Sequence, residues 1–407
     1  METSERADLI NIAGCDAEIE HFIKGLIDGR GFVGASLTIA DDDRIVLHTQ
    51  DGWCDREAER PIAADTIVRI YSMTKPVIAT ALMSLFDERR FELDDPVADY
   101  LPTLATPRIL VSDRLIEPDR PIRIRDLLTH TSGMTHELQP TPVAALYRDA
   151  GIHADATRTL AEVVETLAEL PLAYHPGERW HYGAGFEVCA GLIEVLADQP
   201  LGDFLHDRLF DPLGMPDTAF GVPDDRRDRL AAMYGGPDLL ARGQSLQAVV
   251  DAWTSGDNPR RDVNATNPTD MKTFARGGFG LFSTAMDYTR FARMLLRGGE
   301  LDGTRIITPD TARLMHHNHL PDELLPFVPG TAPATGWGFG LGSMVLIDVD
   351  AAGGIGSPGQ HGWGGAASTT FWVDPYQRRT VLFMAQSMMR MDTWEADLAD
   401  VVNRTSR

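Results

Sequence analysis

Ser72 and Lys75 stand three residues apart in the stretch Ile70-Tyr71-Ser72-Met73-Thr74-Lys75-Pro76-Val77-Ile78-Ala79. Residues at that spacing share a helix face, so the hydroxyl and the amine can meet. A serine hydroxyl is a weak nucleophile and needs a base beside it. An amine one turn away can be that base if burial or a neighbouring cation suppresses its charge. The stretch reads as a loop that delivers a serine to the mouth of an apolar helix running to about residue 89. Free N–H groups and the helix dipole at such a mouth favour developing negative charge. The chain has three lysines, at 24, 75 and 272, among 37 basic residues. Arginine does not give up its proton in a protein, whereas lysine can. A lysine here is therefore a marked choice. The plain alternative is an N-cap serine followed by a surface lysine.

Two further stretches could carry chemistry. Pro176-Gly177-Glu178-Arg179-Trp180-His181-Tyr182-Gly183-Ala184-Gly185 is a turn-rich loop ahead of an apolar helix. Tyr182 could hand protons between nucleophile and leaving group if a cation stood beside it; otherwise it is a tyrosine wedged between helices. Gln360-His361-Gly362-Trp363-Gly364-Gly365-Ala366 leads into a strand-like run. Its glycines allow close backbone approach, which makes it either a tight turn or a strand edge offering the Ala366 N–H to an oxyanion.

The three blocks in order, Ser72-x-x-Lys75, Tyr182-x-Ala184 and Trp363-Gly364-Gly365, resemble the serine β-lactamase and penicillin-binding-protein superfamily. The chain is most similar to its class C-like branch, the family VIII carboxylesterases and related acyltransferases. The stretches Asp94-Asp95-Pro96, Leu127-Leu128-Thr129-His130-Thr131-Ser132-Gly133, Gly280-Leu281-Phe282-Ser283-Thr284, Gly299-Glu300-Leu301-Asp302-Gly303 and Trp372-Val373-Asp374-Pro375 share in it. The resemblance covers roughly residues 20–390. It implies an acyl-enzyme mechanism with Ser72 as nucleophile, and Lys75 as its base or as the cation that holds Tyr182 ionised. Tyr182 would pass the proton to the leaving alcohol and later activate water. The N–H groups of Ser72 and Ala366 would form the oxyanion hole, and Trp363, Gly364 and Gly365 would bind substrate.

The chain departs from the lactamase pattern twice. Ala184 replaces an asparagine whose amide would meet a substrate amide. Trp363 replaces a cation that would hold a substrate carboxylate. Both departures argue against β-lactams and D-amino-acid peptides. A large apolar side chain beside the nucleophile suits a neutral acyl or alkyl group. The expected function is a serine carboxylesterase of neutral, short-acyl esters. The alternatives are an acyltransferase using the same acyl-enzyme, an amidase or weak β-lactamase, and a non-catalytic binding protein.

The elements that must position these groups follow from the remaining pattern. Residues 16–27 form an amphipathic helix. Residues 35–40 and 44–49 form a hairpin about Asp41-Asp42-Asp43. Helices are expected over 124–128, 159–170, 186–197 and 201–209. In 159–170, Leu160, Val163, Val164, Leu167 and Leu170 share a face. Residues 221–270 show little periodicity and read as long loops. A helix capped by Ser283 or Thr284 runs to about 297, a short one spans 308–316, and strands are expected over 343–349, 368–373 and 380–384. A last helix runs over 393–402.

Strands at both ends and helices between them predict an α+β fold, an α/β-type sandwich: one antiparallel sheet flanked by helices, with a mainly helical insertion. The expected division is 1–93 with 275–407 as the sheet unit and 94–274 as the helical unit, with the active site in the cleft between them.

The formal net charge of −23 repels phosphate backbones and anionic membranes, so neither nucleic acid nor membrane is an expected partner. No apolar run approaches the ~20 residues that span a bilayer. Met1-Glu2-Thr3-Ser4-Glu5-Arg6 is too acidic for a signal peptide, which points to the cytoplasm. Cys15, Cys54 and Cys189 fit no disulfide or zinc pattern and are expected as buried thiols. His316-His317-Asn318-His319 lacks an acidic partner at helical spacing, so no metal or other cofactor is expected. His361 reads as a backbone-bonded structural histidine that could also line the site.

Overall fold

The computed structural model describes residues 16–404, except 239, 242–245, 256–257, 271–273, 331, 389 and 391. Cys15 and the acidic opening 1–6 lie outside the described residues.

The chain begins with helix α1 (Asp16–Arg30) and the hairpin β1 (Gly34–Asp41) and β2 (Ile45–Asp55), followed by the short β3 (Arg60–Pro61). The Asp41 carboxylate accepts from the Asp43 and Arg44 N–H groups, an Asx-type turn that explains the acidic tip. Helices α2 (Thr74–Asp87), α3 (Gly185–Ala197) and α4 (Ala285–Leu296) follow. The C-terminal part adds β4 (Trp337–Phe339), β5 (Met344–Leu346), β6 (His361–Gly365), β7 (Thr369–Asp374), β8 (Arg379–Ala385) and helix α5 (Trp394–Arg404).

These strands form one eight-stranded sheet in the order β4-β5-β6-β7-β8-β1-β2-β3. Every neighbouring pair is antiparallel. The two ends of the chain meet where β8 pairs with β1, with Leu37 opposite Phe383 and Ile39 opposite Val381. The fold is thus the expected α+β arrangement of an antiparallel sheet covered by helices.

Through β1, β7 and β8 both faces of the sheet are buried, and the period of two sorts the side chains. Phe371, Val373, Leu382 and Met384 pack into the core that holds α2, α3 and α4. Trp372, Val381 and Phe383 point the other way, onto Ile19 and Ile23 of α1 and Leu398 and Val402 of α5. Helix α2 is buried continuously from Thr74 to Leu85, as its lack of a polar face requires. Its hydroxyls are satisfied by back-bonding, Thr80 to Pro76 O and Ser84 to Ala81 O.

Four local features differ from the sequence reading. Ser72 is not in the first turn of α2 but in a separate 3-10 turn, Tyr71–Met73. Tyr71 opens that turn at φ 45°, outside the right-handed helical region, so α2 does not extend back through it. Strand β2 continues to Asp55 instead of ending near 49. The 201–209 helix is α-helical only over Leu201–Leu205 and then widens into a π-helical turn, His206–Phe210.

Finally, 221–270 is not simply loop. It contains Met233–Gly235 and Arg260–Arg261, which pair with each other, and a helix, Leu246–Ser255. Met233–Gly235 also pairs with Ser387–Met388 just beyond β8. Strands this short carry too little pattern for periodicity to reveal.

Candidate active site

The Ser72 turn is held on all sides. Ile70 N donates to Leu281 O at 3.1 Å, and Tyr288 of α4 donates to Met73 O at 2.9 Å. The N-cap of α2 is Met73, with no side-chain cap. Ser72 is therefore not spent on capping, and Lys75 is buried rather than on the surface.

Ser72 Oγ lies 2.8 Å from Tyr182 Oη and accepts from Lys75 Nζ at 3.3 Å. Lys75 Nζ also donates to Gly278 O at 2.6 Å and stands 4.7 Å from the Tyr182 ring centroid, a cation–π contact. The structure thus brings together Ser72, Lys75 and Tyr182, from turn, helix and loop.

Lys75 depends on a residue that sequence reading missed. Glu187 is fully buried and accepts from Gly277 N at 2.7 Å and Gly278 N at 2.9 Å. Its carboxylate therefore orients the peptide whose carbonyl holds the amine. A Cβ on Gly278 would stand 2.8 Å from Glu187 Oε1 and 3.4 Å from Lys75 Nζ, so this approach requires glycine. The available signal was a carboxylate, Glu187, flanked by apolar residues in the first turn of α3.

The Tyr182 loop is laced to residues 130–135. His181 N donates to His130 O at 2.7 Å, Ala184 N to Thr135 O at 3.2 Å, and Gly183 N to His130 Nδ1 at 3.4 Å. Burial pushes the His130 pKa well below its ordinary value, and the Lys75 charge adds to this. His130 is thus a neutral ring packed 4.8 Å from Tyr182.

Strand β6 closes the other side. Trp363 lies nearly parallel to Tyr182 at 6.0 Å and meets Phe339 edge-on at 5.4 Å. A Cβ on Gly365 would come within 2.3 Å of Ile70 O. The glycine thus lets the strand end press against the Ser72 turn. Gly364 and Ala366 line the same cleft. Among the described residues the Ser72 and Ala366 N–H groups donate to no protein acceptor.

The histidines outside this group are otherwise engaged. His361 Nδ1 contacts Gly359 O at 3.0 Å, its ring stacks on His316 at 3.6 Å, and burial lowers its pKa to about 4. It both lines the cleft and bonds to backbone. His319 meets Leu314 O at 2.7 Å and Arg125 at 3.0 Å. Among the described residues no group of three His, Cys, Asp or Glu side chains is placed to hold a metal ion. Cys54 and Cys189 are buried free thiols.

The cleft measures about 950 Å³, and its walls include Leu138, Ala184, Phe279, Trp337, Met344 and Trp363. A space of this size with mostly apolar walls is typical of small-molecule sites.

An antiparallel sheet with Ser72 and Lys75 at the helix it covers, Tyr182 opposite and β6 alongside is the arrangement of one family. The chain belongs to the beta-lactamase family, whose sequence profile matches residues 19–402. It is a serine hydrolase of that fold. Among curated proteins it is similar to Protein Rv1367c of Mycobacterium tuberculosis, at 33% identity over 374 residues, 89% of this chain and 88% of the relative. It is also similar to Esterase EstB of Burkholderia gladioli, at 27% identity over 93% of this chain and 92% of the relative. Among solved structures it superposes on EstCE1, a hydrolase with promiscuous acyltransferase activity, with a TM-score of 0.79 and 26% identity, covering 96% and 98% of the two chains. No helix among the described residues is long and apolar enough to cross a membrane.

Proposed function

We propose that the protein is a serine carboxylesterase that hydrolyses neutral, short-acyl esters in the cleft between its sheet unit (1–93 and 275–407) and its helical unit (94–274). The observation that carries this is one hydroxyl, Ser72 Oγ, within hydrogen-bond reach of both a buried amine and a phenol. Ser72 Oγ attacks the ester carbonyl while its proton passes to the Lys75–Tyr182 pair. The oxyanion is met by the Ser72 and Ala366 N–H groups, which no acceptor among the described residues occupies. The carbonyl re-forms, the bond to the alcohol breaks, and Tyr182 returns the proton to the leaving oxygen. Water then repeats the sequence on the acyl-serine, releasing the carboxylic acid and restoring the Ser72 hydroxyl.

Trp363 and Gly364 form the wall against which the substrate lies, and Gly365, expected beside them, instead seats that strand end on the Ile70 carbonyl. Trp363 offers an apolar face where a lactam carboxylate would need a cation, and Ala184 offers no amide. Both support a neutral ester over a lactam. EstB is named an esterase, which agrees. Two buried free thiols suit a reducing compartment, which keeps the cytoplasm as the proposed location.

A second reading is acyl transfer, in which an alcohol replaces water as acceptor. The cleft of about 950 Å³ has room for an acyl chain and an acceptor together. One experiment separates the readings: p-nitrophenyl esters of graded acyl length and nitrocefin, each with and without a bulky acceptor alcohol. Esterase activity predicts fast hydrolysis of short neutral esters whether or not the alcohol is present. Turnover that needs the alcohol would make the protein a transferase, and a preference for nitrocefin would overturn both.

A further inference from the structure

The cleft wall formed by residues 136–139 carries two polar side chains with hydrogen-bond donors that the fold leaves unspent. His136 is buried and lines the cleft together with Ser72 and Tyr182. Its ring stacks on Tyr182 at 5.5 Å and on His153 at 4.6 Å. Its Nδ1 accepts from Leu138 N at 3.2 Å, so the neutral ring carries its proton on Nε2. The ring is neutral, because burial drives its pKa well below 6.5, with His153 and Lys75 acting in the same direction. Among the described residues that Nε2 meets no acceptor. Gln139, half-buried on the same segment, also lines the cleft with no partner for its side-chain amide among the described residues. Both donors are open to the cleft rather than sealed in the core, and the cleft is where an acceptor can arrive.

The charges of the cleft restrict what that acceptor is. Lys75 is the one lysine or arginine among the described lining residues, and its Nζ is already engaged by Gly278 O and Ser72 Oγ. The lining acids are Glu187, Asp238 and Glu395. A carboxylate-bearing chain would meet like charges and no free cation. A neutral oxygen would meet two unspent donors. The acyl group remains tethered beside the His136–Tyr182 stack through both half-reactions, so it is the part of the substrate that this wall can read throughout.

Resting on the esterase reading, we infer that the enzyme selects acyl chains bearing a neutral oxygen, as an ether, hydroxyl or ketone, and that His136 Nε2–H, with Gln139 beside it, binds that oxygen. The test uses p-nitrophenyl methoxyacetate and its isostere p-nitrophenyl butyrate, with p-nitrophenyl hemisuccinate as the anionic arm. Comparing the methoxyacetate-to-butyrate ratio of kcat/KM between variants cancels intrinsic reactivity. His136→Phe keeps the stack and loses the donor, so the ratio falls about tenfold, the scale of one neutral hydrogen bond. His136→Gln restores a donor and holds the ratio within about threefold of wild type. Gln139→Ala reads the same wall without disturbing the stack and lowers the ratio about threefold. An unchanged ratio in whichever of His136→Phe and Gln139→Ala folds overturns the inference, as does a wild-type preference for the hemisuccinate over butyrate. Ser72→Ala measured in parallel keeps the two claims apart. Loss of all three activities there upholds the nucleophile whatever the ratio does, and their survival removes the esterase reading itself.

Discussion

The two faces of the central sheet each hold a buried cluster, but the clusters are made of different material. On the far face, Phe32, Phe383 and Trp394 form a ring cluster with centroids 4.8 to 6.1 Å apart, joined by Ile19, Leu37 and Leu398. On the site face, Lys75, Glu187 and His130 are equally hidden from water. Apolar packing is non-directional, and neighbours partly compensate for a change. A buried polar group is committed to particular partners, and removing one leaves the next unsatisfied. The far face should therefore govern how firmly the molecule folds, and the site face what it does once folded.

The largest effect that would break this division is expected at Ser72. Ser72→Ala should lower kcat/KM for p-nitrophenyl butyrate by at least about 10³-fold, as expected for loss of a nucleophile. Its thermal midpoint should stay near wild type, since the hydroxyl supports no cap. A folded mutant that keeps a tenth of the activity would refute the assignment. Lys75→Arg comes next. Arginine keeps the charge but takes up no proton, so losses of roughly 10²–10⁴-fold, close to those of Lys75→Ala, should appear in steady-state kinetics. An active arginine variant would show that only the positive charge matters.

On the far face, Phe383→Ala should cost about 3–5 kcal/mol in denaturant unfolding. Its kcat should remain near wild type wherever it is folded. A large drop in kcat at constant stability would mean that the two faces are coupled. The smallest effect is a sharpening one. Trp363→Lys should improve KM for an anionic cephalosporin by roughly tenfold, the worth of one charge-assisted hydrogen bond. If it lost ester turnover and gained nothing on the lactam, Trp363 would not occupy the carboxylate-binding position.

Most of the fold was legible because it rests on long periodic segments. The helix expected over 159–170 is present as Leu160–Glu169, with its Thr159 and Glu162 capping box and with Leu170 already extended. The Ser72, Tyr182 and Trp363 blocks were legible because their residue types are chemically marked. What escaped was determined by contacts distant in sequence. Nothing local in Glu187 announces that it will bind the Gly277–Gly278 turn, and a histidine such as His136 acquires meaning only when Tyr182 is folded against it. The two- and three-residue strands around Met233 exist because Ser387–Met388 is there to pair with them.

The contact between the start of β7 and the residue ahead of the Ser72 turn also has a bearing on biosynthesis. Thr369 Oγ1 donates to Ile70 O across 299 positions of sequence, and the central strand β1 waits for β8, made some 340 residues later, as its partner. During translation the emerging chain therefore exposes a strand with an unpaired edge until nearly all of it has left the ribosome. Such an edge is a template for wrong pairing between copies. Slow or truncated synthesis is then the circumstance in which this protein is most exposed to aggregation, and chaperone demand should fall on the nascent chain more than on the finished one.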